Sequence, residues 1–227
     1  STLSSSSAAS DVYKRQEETG VGILFKKLLF ALAEIDKNNE YFLFSSSFKD
    51  RFKLEKIPSF SHGHFIDCRV PVKAVNFAWY RMNWPPLDFI FRKRLDLTHS
   101  PTPLVLPSCG KKIVTVYDVF FLENPRLSNK EARKIFATRI GLSLEKADGI
   151  ITISNESRNR ILKYFPFIEN KLKVIYPGID HEFWTEETIV EWKSLRAELK
   201  LPPSFLLCVG CLLYTSDAAD EEDSVDL

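Results

Sequence analysis

The sequence predicts an α/β domain, built on a mostly parallel sheet with helices on both faces. Short apolar runs alternate with amphipathic stretches through the interior of the chain, the pattern of successive βαβ units. Several of these runs are apolar and β-branched throughout instead of alternating, as strands covered on both faces must be. The 227 residues, 44% hydrophobic and 27% charged, suffice for one large domain or two small ones with a real core. That composition excludes a disordered tail, a collagen-like fibre and a disulfide scaffold. No apolar run reaches the roughly 18–20 residues that a membrane-spanning helix needs.

Taken in order, Gly20-Val21-Gly22 reads as a tight turn that opens a helix over the apolar-periodic Ile23–Ile35. Strands are expected at Tyr41–Phe44, Leu95–Thr98, Ile113–Val116, Gly149–Ile153, Leu172–Tyr176 and Phe205–Val209. The strongest helical pattern is Asn129–Ala147, where Ala132, Ile135, Phe136, Ile140, Leu144 and Ala147 make one apolar stripe. Ser128 and Glu131 form a capping box at its start, each side chain placed to satisfy a free amide. A further helix begins after the N-cap Ser154 and stops near Phe165, ahead of Pro166. Another runs from Glu186 to Leu199 behind Thr185, and Leu201-Pro202-Pro203-Ser204 reads as a linker.

The two ends differ from the interior. Residues 1–10 are small and polar without periodicity, and lack the apolar segment of a secretory signal. The C-terminal TSDAADEEDSVDL is acidic and equally aperiodic. With suitable codons, Ser6–Gln16 and Cys211–Glu221 back-translate to opposite strands of one DNA sequence, which resembles a transposase adaptor used in library preparation. The expected organisation is therefore a non-native flank over 1–16, an N-terminal domain over 17–200, a linker and first strand of a second, truncated domain over 201–210, and a non-native acidic flank over 211–227. The formal charge of +1 for the whole chain becomes +6 for the interior once both flanks are set aside. A moderately basic domain suits phosphorylated ligands or an anionic membrane surface without choosing between them.

Four places carry candidate chemistry. Glycines at a helix start let the backbone approach a phosphate, and the free amides and helix dipole favour the anion there. Gly20 and Gly22 fit that role, although Phe25 stands where a dinucleotide fingerprint has its third glycine, and Tyr41–Phe44 is followed by Ser45 and not by an acid. A tight turn with no ligand is the equal alternative. Thr115-Val116-Tyr117-Asp118 closes an apolar strand, and ligands bind outside the carboxyl ends of parallel strands. Asp118 either faces such a ligand or caps the following turn. Ser154 holds the equivalent place after Gly149–Ile153, and His99 follows Leu95–Thr98.

The remaining signals are weaker. His62-Gly63-His64 lacks the companion ligands of a zinc site and reads as a solvated loop. Cys208 and Cys211 form a C-x-x-C that falls partly in the suspected flank, while Cys68 and Cys109 show no pairing pattern, so a reducing, cytoplasmic setting is expected. Phe77–Arg94 interleaves aromatic and basic residues. A core helix pair broken by Pro85-Pro86, with a solvated basic end, is the preferred reading. Peripheral contact with a membrane, or a grip on a sugar or lipid-linked acceptor through Trp79 and Trp84, is the other. No nucleic-acid motif accompanies the stretch.

In their order these segments resemble the N-terminal domain of family 4, GT-B-type glycosyltransferases, from Gly20 to Gly210. The resemblance rests on Gly20-Val21-Gly22 with Leu32-Ala33-Glu34-Ile35-Asp36 and Asn39-Glu40-Tyr41, on Asp96-Leu97-Thr98-His99-Ser100, and on Ile113–Asp118. Its most specific part is Ala147–Ser154 continuing to Lys173-Val174-Ile175-Tyr176-Pro177-Gly178-Ile179-Asp180. It implies a Rossmann-like half of a two-domain fold and metal-independent transfer of a sugar, with retention, from a nucleotide-sugar donor to a glycan, lipid-linked or small-molecule acceptor. No cofactor is expected. By position Gly20, Gly22 and Ser154 would face the donor, Tyr117 and Asp118 would be catalytic, and His99, Trp79 and Trp84 would lie on the acceptor side. Tyr117 replaces the histidine usual before Asp118; a phenol can donate a hydrogen bond but stays uncharged near neutral pH. The family's two glutamates seven residues apart fall beyond this chain, so the chain alone is expected to be inactive. A nucleotide-sugar epimerase of the same fold, or a non-catalytic acceptor- or membrane-binding module, are the alternatives.

Overall fold

The computed structural model describes residues 2–5, 20–46, 58–126, 128, 136–179, 194–202 and 204, with the backbone alone at 2–5, 72 and 73. The chain forms two compact units, Ser1–Tyr176 and Pro177–Leu227. In the second, a helix over 194–198 ends where Lys200 takes a left-handed backbone conformation and Leu201 N–H donates to the Arg196 carbonyl. The expected helix start near Thr185 and the expected strand Phe205–Val209 lie outside the described residues.

The first unit is a seven-stranded sheet in which all strands are parallel. Its strands are β1 (Thr2–Ser5), β2 (Glu40–Ser46), β3 (Gly63–Cys68), β4 (Leu97–Ser100), β5 (Lys111–Thr115), β6 (Gly149–Thr152) and β7 (Leu172–Val174). They lie in the order β3-β2-β1-β4-β5-β6-β7. The α/β class and the parallel sheet agree with the sequence, and five strands fall within two residues of the expected starts. Two strands do not come from the apolar pattern. Residues 2–5, which the sequence assigns to a flank, pair with both β2 and β4, a role that needs only backbone donors and acceptors. Gly63–Cys68 pairs over its whole length with Tyr41–Ser46 of β2, so His64 sits on an edge strand and not in a solvated loop.

The helices are α1 (Gly20–Ile35), α2 (Val72–Phe77) running on as a π-helix (Ala78–Met82), α3 (Leu87–Phe91), α4 (Phe120–Glu123), α5 (Thr138–Lys146) and α6 (Asn155–Tyr164), the last followed by a 3₁₀ turn (Pro166–Lys171). Gly20-Val21-Gly22 is the first turn of α1, not a loop ahead of it. The expected Asn129–Ala147 helix is described from residue 136; Glu131 lies outside the described residues, and the Ser128 hydroxyl donates to the Asn124 carbonyl. Ser154 caps α6 as expected, accepting from Ser157 N–H at 3.0 Å. The Phe77–Arg94 stretch does form a broken helix pair.

Two apolar clusters hold the sheet. One gathers Val114, Ile140, Leu144, Ile150, Ile161, Ile168 and Leu172; the other gathers Phe42, Phe44, Trp79, Leu87, Leu95 and Leu106. Complete burial of each such aliphatic chain contributes about 1.5–3 kcal/mol. Gly110 packs against the Leu95–Asp96 backbone, where any side chain would run into the two carbonyls.

Buried hydroxyls on these elements have opposite energetic signs. Ser143 on α5 donates to the Pro103 carbonyl and accepts from Val105 N–H, both at 2.7 Å, and so anchors the loop that leaves β4. Thr152 Oγ1, at the end of β6, is fully buried and meets no partner among the described residues. Ser143→Ala should therefore lower stability by about 1–3 kcal/mol, because it orphans two backbone groups. Thr152→Val, which keeps the shape and removes the orphan, should be neutral or raise stability by up to about 1 kcal/mol. Urea unfolding midpoints of the two variants check both signs.

Candidate functional site at the strand carboxyl ends

In an open parallel sheet the ligand crevice lies outside the strand carboxyl ends, where the strand order reverses. Here the order reverses between β1 and β4. The helix α1 starts on this edge with Gly20-Val21-Gly22 as its first turn, where the helix dipole favours an anion. Among the described residues nothing lies within 4 Å of where a Cβ on Gly20 would be.

His99 is the penultimate residue of strand β4, inside the strand and not after it. Its Nε2 is 2.8 Å from Thr115 Oγ1 at the end of β5. Phe25, in the second turn of α1, meets the imidazole edge-on with ring centroids 6.0 Å apart. The residue that breaks the glycine fingerprint thus packs on the site. Burial lowers the His99 pKa from 6.5 to about 4, which keeps the imidazole neutral at physiological pH. A neutral imidazole has one donor and one acceptor nitrogen, and Nε2 is the one engaged by Thr115. Beyond His99, the Ser100 and Thr102 hydroxyls bond each other at 2.9 Å, and Thr102 Oγ1 accepts from Leu104 N–H. Ser143 fixes the same loop from below.

The other expected site residues are dispersed. Asp118 is exposed, and its Oδ1 accepts from Phe120 N–H at 3.0 Å, which is the turn-capping role. Tyr117, one residue closer to β5, is half-buried. The Ser154 hydroxyl is occupied in capping α6 and in a bond to Ser157 Oγ, and it lies two strands from β4, about 10 Å in sheet spacing. Trp79, expected on the acceptor side, is buried in this structure. It is 3% exposed, lies 5.2 Å from the Phe44 ring, and donates its indole N–H to the Pro85 carbonyl. The spacing that leaves Trp84 outside turns Trp79 inward. Trp84 is exposed on the helix pair that lies between β3 and β4 in the chain.

His64 bonds Glu40 Oε1 at 2.8 Å and stacks on Phe42 at the amino-terminal edge, opposite the site. Among the described residues no group of three His, Cys, Asp or Glu side chains is placed to hold a metal ion. The Thr115 and Phe25 contacts to His99 were not read from the sequence. Thr115 does stand at an apolar strand end, but which neighbouring strand it faces depends on strand order.

Residues 19–183 match the family model described as Glycosyltransferase Family 4. No curated protein matches the chain.

The state of His99 should be visible in stability. Its pKa is about 6.5 unfolded and about 4 folded, so between these values the unfolded chain binds a proton that the folded chain does not. Stability is therefore complete above about pH 7 and falls as pH drops from 6.5 to 4, by up to ~3 kcal/mol from this group. His99→Gln should flatten that part of the profile, measured by urea midpoints across pH 4–7.5.

Proposed function

The chain belongs to glycosyltransferase family 4, and on that premise we propose that its switch-point crevice takes part in moving a sugar from a nucleotide-sugar donor to an acceptor hydroxyl, with retention and without a metal. The carrying observation is the juxtaposition of an open glycine turn with a neutral histidine where the strand order reverses. In this reading the first-turn amides of α1 meet the donor diphosphate, spreading its charge over fixed dipoles that need no reorganisation. His99, held by Thr115 and Phe25, hydrogen-bonds a sugar hydroxyl without adding charge. Tyr117 offers a phenolic donor and Asp118 an exposed carboxylate at the end of β5. The acceptor is a glycan, a lipid-linked sugar or a small hydroxylated molecule. The unpaired thiols of Cys68 and Cys109 support a cytoplasmic setting.

Gly20 separates this reading from a purely structural turn, because a side chain there meets no atom of the described residues. Gly20→Val should leave the thermal midpoint within about 1 °C, yet weaken binding of nucleoside diphosphates and nucleotide sugars by about tenfold or more by blocking amide approach. Isothermal titration with uridine, guanosine and adenosine diphosphates measures this. Equal affinity for wild type and variant would remove the donor role from α1. With transfer-competent protein, the anomeric proton of the product reports retention or inversion.

A further inference from the structure

We infer that the stretch 77–94 is a docking face for a bilayer surface rich in anionic headgroups. The inference is independent of the sugar-transfer reading. The structure sorts this aromatic and basic stretch into two sets. Trp79 and Leu87 enter the core with Phe42, Phe44, Leu95 and Leu106. Phe77, Met82, Trp84 and Phe89 remain in water, each more than half exposed. Trp84 and Phe89 stand beside each other with ring centroids 6.2 Å apart, one on either side of the Pro85-Pro86 break. Single exposed apolar side chains are ordinary; four large ones in one short stretch, two of them paired aromatics, mark an interaction surface.

The charges choose the partner. Asp88 is the only acid between 77 and 94, and both of its oxygens turn to the backbone: Oδ1 accepts from Leu95 N–H and Oδ2 from Cys109 N–H, each at 2.8 Å. Lys93 is likewise used by the fold, paired with Glu40 and lying over the Phe42 ring. Arg81, Arg92 and Arg94 are exposed, and no ion pair to them is formed among the described residues. The face therefore presents exposed aromatic rings and guanidinium groups while its one carboxylate is withdrawn. Aromatic rings settle at the headgroup level of a bilayer and guanidinium groups hold anionic headgroups, so this chemistry fits a lipid surface. No described helix is long and apolar enough to cross a membrane, so the contact is peripheral.

The test is co-sedimentation of the 227-residue chain with vesicles of phosphatidylcholine alone or of phosphatidylcholine mixed with phosphatidylglycerol. The expected result is binding to the mixed vesicles only, weakened by salt. Trp84→Ser/Phe89→Ser and Arg81→Gln/Arg92→Gln/Arg94→Gln should each reduce it by about tenfold, with unchanged thermal midpoints because these side chains are exposed. Equal sedimentation with neutral vesicles, or none with anionic ones, would overturn the inference without involving any variant. So would a dimer in lipid-free solution that Trp84→Ser/Phe89→Ser disperses, since the face would then belong to a second copy.

Discussion

The parallel pairing of β4 with β1 on one side and β5 on the other is the constraint on which the rest of the first unit depends. Parallel neighbours cannot be joined by a hairpin, so each connection must cross back to the same edge. All strand carboxyl ends then share one edge, and the chain leaves β1 and β4 toward opposite ends of the sheet. The crevice at that divergence is a consequence of connectivity. Its lining follows from local packing: α1 brings Phe25 onto His99, and β5 brings Thr115 to Nε2. Ser143 then ties down the loop beyond.

The two edges of the sheet are treated differently. At the amino-terminal edge carboxylates are charged and paired. Asp36 accepts from the Tyr41 hydroxyl, the Asn39 side chain and the Asn38 and Asn39 amides, which together hold it well below the usual carboxylate range. Glu40 is lowered by Lys93 and His64, and Asp148 by Lys111. These pairs are partly or fully in water, so their worth is small and their role is to fix the turns that start the strands. At the carboxyl edge the groups around His99 are neutral hydroxyls, and burial keeps the imidazole neutral too.

The helix pair between β3 and β4 shows how one stretch serves two ends. Its inward residues, Trp79 and Leu87, complete a cluster under β2, while the turn at Pro85-Pro86 leaves Trp84 and Phe89 on the outside. Asp88 closes the arrangement by bonding the backbone at Leu95 and Cys109, so its charge serves the fold and not the surface.

The sequence by itself determined the α/β class, five strands, the α6 cap at Ser154 and the family, because apolar periodicity, a serine before a helix and ordered strand-end motifs are local properties. It did not determine that Gly63–Cys68 and Thr2–Ser5 are strands, since pairing uses backbone groups that every residue carries. Nor did it separate Trp79 from Trp84, two aromatics in one interleaved stretch, of which the first lies within the π-helix and the second just past its end. The partners of His99 were equally out of reach. Phe25 and Thr115 are distant from it in the chain, and only the strand order and the placement of α1 bring a ring edge and a hydroxyl to the imidazole. Local pattern fixes which elements form; side-chain environments depend on which elements become neighbours, and that is a property of the assembled sheet.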